Sequence, residues 1–126
     1  MIKHDVYGSI AQAAMLKKIG ILTPVEFKRI QAAFKRLIKL WEQGKFVVQL
    51  EDEDGHTAIE NYLVHELGDL GKKIHTARSR NDQVVTMTRL YMKEKMMNVY
   101  GHTLTLTDHF LRLAKRYQAV PLPGYT

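Results

Sequence analysis

Between His75 and Gln83 the chain reads HTARSRNDQ, which places Arg78, Arg80, His75, Ser79, Asn81 and Asp82 together with no large apolar side chain among them. The following residues, VVTMTRLYM, have the pattern of a helix, so these hydrogen-bonding groups stand at its N-terminus. A helix N-terminus offers free backbone N–H groups and the positive end of the helix dipole, and it therefore suits an anion. Arginine adds a planar fork matched to carboxylates. Ser79, Arg80 and Asn81 together fit a dicarboxylate. A second polar stretch, EDEDGHTAIE from Glu51 to Glu60, also precedes a helix and brings Asp54 and His56. The alternative is that the polar groups of HTARSRNDQ only cap their helix and pair with the acids of the second stretch.

Other constellations carry less. His65-Glu66 would need a second histidine four residues after the first to make a helical zinc motif, and that position is Asp69. Asp52-Glu53-Asp54-Gly55 resembles the start of a calcium loop, but the later ligands do not follow. His102, Asp108 and His109 sit on a helix as packing or solvated residues. No glycine-rich phosphate loop is present, and no metal or cofactor is expected.

The elements that must position these groups are helical. Asp5 to Ile19 reads as a first helix closed by Gly20, with Ile21 expected to make the capping apolar contact. Thr23-Pro24-Val25-Glu26 is a capping box with proline at the first helical position. It opens a second helix with Phe27, Ile30, Phe34, Leu37 and Trp41 on one stripe, stopped by Gly44. Phe46 to Gly55 reads as an extended connection. Thr57-Ala58-Ile59-Glu60 is a second capping box, opening a helix that Gly68 stops, and Asp69 to Ala77 reads as irregular. The last helix runs from about Ser79 to about Gln118 and carries apolar stripes on two sides, one with Met92, Met96, Val99, Leu106 and Phe110, the other with Met87, Leu90, Met97, Leu104 and Leu111. A helix apolar on two sides must be covered on two sides, and the preceding helices are too short to do it, so this one needs further partners. The chain is thus all-α: a small N-terminal helical unit, residues 1–78, followed by a long helix in residues 79–126 that begins a second, incomplete domain.

With 126 residues, 45% hydrophobic and no cysteine, the chain can bury a modest core without disulfides. It has neither the apolar run of a membrane span nor that of a signal peptide, which fits a cytoplasmic protein. Its net charge of +6 suits anionic partners. The cations are scattered along helical segments without interleaved aromatics, which argues against nucleic-acid binding.

The segment EDGHTAIENYLVHELGDLGKKIHTARSRNDQVVTMTRLYM resembles the signature region of argininosuccinate lyase, in the fumarase/aspartase superfamily. Asp5-Val6-Tyr7-Gly8-Ser9-Ile10-Ala11, Gly20-Ile21-Leu22-Thr23 and the closing PLPGYT also match, so the resemblance extends over nearly the whole chain. It implies reversible elimination of argininosuccinate to arginine and fumarate, as in arginine biosynthesis and the urea cycle, with argininosuccinate, arginine and fumarate as ligands and no cofactor. It implies that Ser79, Arg80, Asn81 and Thr126 hold the succinyl or fumarate part, while Asp54 and His56 line or organise the pocket. It implies a homotetramer in which the long helices form a central bundle and each active site draws on three chains.

The family's acid/base groups are a histidine immediately after the threonine matched by Thr126 and a serine in a mobile loop. Neither is among these residues, nor is an N-terminal serine segment expected ahead of Met1. The chain is therefore expected to be an N-terminal portion that is inactive alone. Three positions depart from the family pattern: Ala77 replaces a glycine, Gly55 a branched apolar residue and Met87 an aspartate. A non-catalytic oligomerising or structural protein derived from the same family, as in lens crystallins, is the alternative from another class.

Overall fold

The structure is a computed structural model, and it describes residues 1–124. The order is α1 (Ile2–Lys18), α2 (Pro24–Glu42), a 3-10 turn (Leu50–Asp52), α3 (Gly55–Leu67), α4 (Asp69–Lys72), a second 3-10 turn (Lys73–His75) and α5 (Arg80–Tyr117), with no strand among the described residues. The expected all-α class is what forms. No helix among them is long and apolar enough to cross a membrane.

Two compact units divide at Tyr91/Met92, inside α5 and beyond the boundary expected at residues 78/79. In the first unit, α1, α2 and α3 pack on one another around Val6, Ala13, Leu16, Ile30, Phe34 and Leu63, all essentially inaccessible to solvent. The first turns of α5 belong with this unit. Gln83 is buried, Tyr91 makes an edge-to-face ring contact with His4, and Thr86 lies against Gly8.

Local sequence signals account for most helix ends. Thr23 Oγ1 accepts from Glu26 N–H at 3.2 Å and Glu26 Oε2 accepts from Thr23 N–H at 2.7 Å, which is the expected capping box. At the end of α1, Gly20 has a φ of +82°, and the N–H groups of Gly20 and Ile21 bond back to Lys17 and Leu16. This is the bond pattern of a Schellman closure. Leu22 rather than Ile21 becomes the buried residue after it, because Ile21 remains 37% exposed.

Four further expectations need correction. Helix α1 starts at Ile2, ahead of Asp5. Helix α3 starts at Gly55 and is capped by Asp54, whose Oδ1 accepts from Thr57 N–H at 2.7 Å; the Thr57 capping box does not form because the helix has already begun. The stretch from Asp69 is helical as α4 and a 3-10 turn, and its close approach to α3 depends on Gly71. A Cβ there would stand 2.5 Å from the Leu63 carbonyl oxygen, so backbone would have to move. On the α2 stripe, Ile30, Phe34 and Leu37 are buried, but Trp41 is 37% exposed, and Ala33 joins the core.

In the second unit, α5 from Met92 to Tyr117 is exposed at every position. Its threonines satisfy their hydroxyls on the helix itself: Thr103, Thr105 and Thr107 each donate to the carbonyl four residues earlier. Met96, Val99, Leu106 and Phe110 are all more than half exposed. Among the described residues, both apolar stripes are open over this stretch.

Gly71→Ala is expected to lower the unfolding free energy by about 1–3 kcal/mol through forced overpacking, read by urea denaturation; an unchanged midpoint would show that α4 does not press on α3. The acid limb gives a second check. Glu26 is held down to about 2 from 4.5, first by the Lys73 ammonium that donates to it at 2.6 Å and then by the Thr23 N–H. A lowered folded-state pKa gives stability that is present above the unfolded value and lost as pH falls through the folded one. Stability should therefore fall between pH 4.5 and about 2 more steeply in the wild type than in Glu26→Gln.

Candidate functional site

The N-termini of α3 and α5 meet through Arg80. Its Nη1 lies 3.4 Å from Asp54 Oδ1, and its Nη2 donates to Thr57 Oγ1 at 3.3 Å. Both distances exceed the 2.7–2.9 Å typical of strong charge-assisted bonds, and the side chains of Arg80 and Asp54 are 40% and 46% exposed. The contact is therefore a loose, solvent-facing pair, of a kind worth less than about 1 kcal/mol. Partial burial opposes the Asp54 charge, but the Thr57 N–H and hydroxyl, then Arg80 and His56, outweigh it and hold the carboxyl below the usual range.

Ser79 and Asp82 form the cap of α5. Ser79 Oγ accepts from Asn81 N–H, and Asp82 Oδ2 accepts from Ser79 N–H, both at 3.2 Å. Asn81 is exposed, and its side-chain amide takes no hydrogen bond among the described residues. Capping thus uses Ser79 and Asp82 and leaves the Asn81 amide and most of the Arg80 fork to solvent.

His56 borders a cleft with little of its side chain open to solvent. It is buried, and its Nδ1 pairs with Asp5 Oδ2 at 2.5 Å. Asp5, itself 2% exposed, accepts at Oδ1 from Gln83 Nε2 at 2.8 Å. One carboxylate on α1 therefore ties the first turn of α3 to the first turn of α5. Arg78 supports the same junction by donating to Ser9 Oγ at 3.1 Å. Burial pushes the Arg78 guanidinium pKa down, and the charges of Asp5 and Glu60 work in the other direction. His75 Nε2 lies 3.0 Å from Glu60 Oε2, and Gln12 holds the Thr76 carbonyl at 3.0 Å.

Two clefts flank this junction. One, of about 220 Å³, is lined by Asp5, Gln12, Ala77, Arg78, Asp82 and Gln83 among others. The other, of about 250 Å³, is lined by Met1, Ile2, Asp5, Asp54, His56 and Met87 with Gly55. Asp5 and Met87 border both.

The structure brings Asp54, His56, Ser79, Arg80 and Asn81 to the neighbouring N-termini of two helices, and Thr126 lies outside the described residues. Sequence reasoning missed Asp5 and Gln83 as members of the junction. Gln83 stood inside the HTARSRNDQ stretch. Asp5 opened a segment that matches the family pattern but was given no role in the site, and its i, i+4 neighbour Ser9 on the same face of α1 was the local signal of a polar junction.

Comparison with known proteins gives the chain its relatives. A family profile described as lyase matches residues 1–126. The argininosuccinate lyase of Thermotoga neapolitana is 44% identical over 126 residues, covering all of this chain and 32% of that protein. The argininosuccinate lyase of Xylella fastidiosa is 41% identical over 98% of this chain and 28% of its own length. That of Leptospira biflexa is 41% identical over the whole chain and 26% of its own. The chain spans between about a quarter and a third of the curated relatives it matches.

Ala77 has a φ of +56°, the left-handed region where a Cβ is unfavourable. Ala77→Gly should therefore raise the unfolding free energy by about 0.5–1 kcal/mol, the relief of strain exceeding the entropy cost of glycine. Thermal denaturation reads it, and a lower midpoint for the glycine variant would show the turn is not strained.

Proposed function

This chain belongs to the lyase family, and we propose that it forms the substrate-holding portion of an argininosuccinate lyase, which reversibly eliminates fumarate from argininosuccinate to leave arginine. The observation that carries this reading is the pair of helix N-termini joined by the long contacts of Arg80 to Asp54 and Thr57, with the Asn81 side-chain amide beside them making no hydrogen bond among the described residues. Elimination removes a proton from the carbon beside a carboxylate. Negative charge then grows on that carboxylate, and donors fixed in advance stabilise it.

In this mechanism the Asn81 amide and the Ser79 hydroxyl hydrogen-bond the carboxylate, and Thr126 contributes a further hydroxyl. Arg80 gives up its long contact with Asp54 and turns its fork to the ligand, which exchanges a weak pair for a bidentate one. Asp54 and His56 shape the pocket wall. The acid/base pair that removes the proton and assists the leaving nitrogen comes from groups outside these 126 residues, in the assembled enzyme.

The assembly itself is proposed as a homotetramer working in the cytoplasm, in which α5 helices of several subunits cover one another's apolar stripes. The exposed Met96, Val99, Leu106 and Phe110 support this, since apolar area of that extent is favourable to bury.

Two measurements test the reading. In the assembled lyase, Asn81→Ala is expected to lower kcat/KM for argininosuccinate by roughly 10²-fold, the effect of losing one preorganised donor; unchanged kinetics would remove Asn81 from the site. The purified 126-residue chain is expected to release no fumarate from argininosuccinate, and steady fumarate production by it would overturn the assignment of the acid/base pair.

A further inference from the structure

We infer that Asp5, held in place by Gln83, is a positioning residue that fixes His56 in its Nδ1–H tautomer, so that the Nε2 of His56 is a hydrogen-bond acceptor. The argument starts from the two oxygens of Asp5. Oδ1 accepts from the Gln83 side-chain amide at 2.8 Å, which fixes the amide's orientation, since only its nitrogen can donate to a carboxylate. Oδ2 lies 2.5 Å from His56 Nδ1, with the two side chains 2% and 8% exposed. An ionised carboxylate only accepts, so the hydrogen between them sits on Nδ1. In a neutral imidazole the other nitrogen is then bare.

The surroundings favour this arrangement over a proton carried by Asp5. The Arg78 guanidinium is close enough to Asp5 for the carboxylate's charge to act on it, and it supplies a compensating positive charge within the same buried junction. Glu60 on α3 also acts on Arg78, and Arg80 and Asp54 are paired close to the same junction. The Gln83 amide meets Oδ1 through its nitrogen, a donor matched to an ionised oxygen, while its own Oε1 is left without a partner among the described residues.

The consequence concerns the division of labour at the site. Arg80 and Asn81 are donors and suit a carboxylate. His56 is among the residues lining the cleft with Asp54 and Met87, and with Nδ1 committed to Asp5 the nitrogen it has left is an acceptor, which fits an O–H or N–H group rather than a carboxylate. In terms of the lyase proposed above, His56 would face the nitrogen-bearing part of the substrate. The tautomer itself is independent of that reading, because it is measured without any ligand.

The test is long-range 1H–15N NMR of the imidazole nitrogens in the 15N-labelled chain, with His56 identified by the signal lost in His56→Gln. It is run about two pH units above the ordinary histidine pKa of ~6.5. The expected result is a His56 Nδ1 shift in the protonated range and an Nε2 shift in the unprotonated range. An Nε2–H ring, or a ring protonated at both nitrogens, overturns the inference. Asp5→Asn gives a second arm. An asparagine there accepts from Gln83 with its oxygen and turns its amide donor toward Nδ1, so the two nitrogens should exchange their shifts. A folded Asp5→Asn chain with the wild-type pattern would show that Asp5 does not set the tautomer. If that variant fails to fold, the wild-type spectrum alone decides.

Discussion

A buried carboxylate sits where three helices come together. Asp5 is 2% exposed, and its charge would cost several kcal/mol to bury if nothing met it. What meets it comes from three parts of the chain: His56 from the first turn of α3, Gln83 from the first turn of α5, and the charge of Arg78 from the turn between. Between them they bring a partner to each oxygen and a positive charge to the same buried junction. The junction therefore couples the packing of α1 to the position of both helix N-termini that carry the candidate site. The apolar core of Phe34, Leu16, Ile30 and Leu63 holds α1, α2 and α3 as a unit, but it has no member on α5. Over its first turns α5 is joined to the unit by polar and edge contacts: Gln83 to Asp5, Arg80 to Asp54, Tyr91 to His4.

This arrangement explains why HTARSRNDQ is so rich in polar groups. The residues split into those consumed by structure and those left over. His75 goes to Glu60, Arg78 to Ser9, Gln83 to Asp5, and Ser79 and Asp82 cap α5. The reading in which these groups only cap and pair is thus right for most of them. It leaves Asn81 and, in part, Arg80, whose contact with Asp54 is long and wet. A site made of a few unspent donors on a scaffold of spent ones is well suited to a charge that appears only during reaction, because the scaffold does not have to reorganise.

Much of this was legible in the sequence. Thr23 and Glu26 announced their capping box because both partners lie within one turn, and Gly20, Gly44 and Gly68 marked ends because each takes a positive φ. The two-sided pattern of α5 was readable for the same reason, since period alone fixes which residues share a face. The misses arise where contacts beyond the local stretch decide the outcome. Asp54 displaced Thr57 as the cap of α3 because it reaches the Thr57 N–H and also meets Arg80, a contact 26 positions away. Asp5 and Gln83 are 78 positions apart. Trp41 continues the stripe of α2 but lies past the edge of the core, so its period was right and its burial was not. Local spacing carries capping and periodicity; it carries nothing about which distant polar group will share a buried junction.

The positions where the chain departs from the argininosuccinate lyase pattern separate on the same grounds. Gly55 stands where a branched apolar residue is usual, and a Cβ on it would come within 2.9 Å of Ile2 Cδ1. Ile2 therefore fills the space that the side chain at position 55 would occupy, so the two positions compensate. Ala77 has no such partner and keeps its left-handed φ against its Cβ. Met87 is different again. It borders both clefts beside Asp5, where a carboxylate would add a second negative charge to a wall that already holds Asp5 and Asp54. Methionine instead presents an apolar side chain to both clefts, a difference of chemistry at the wall rather than of packing in the core.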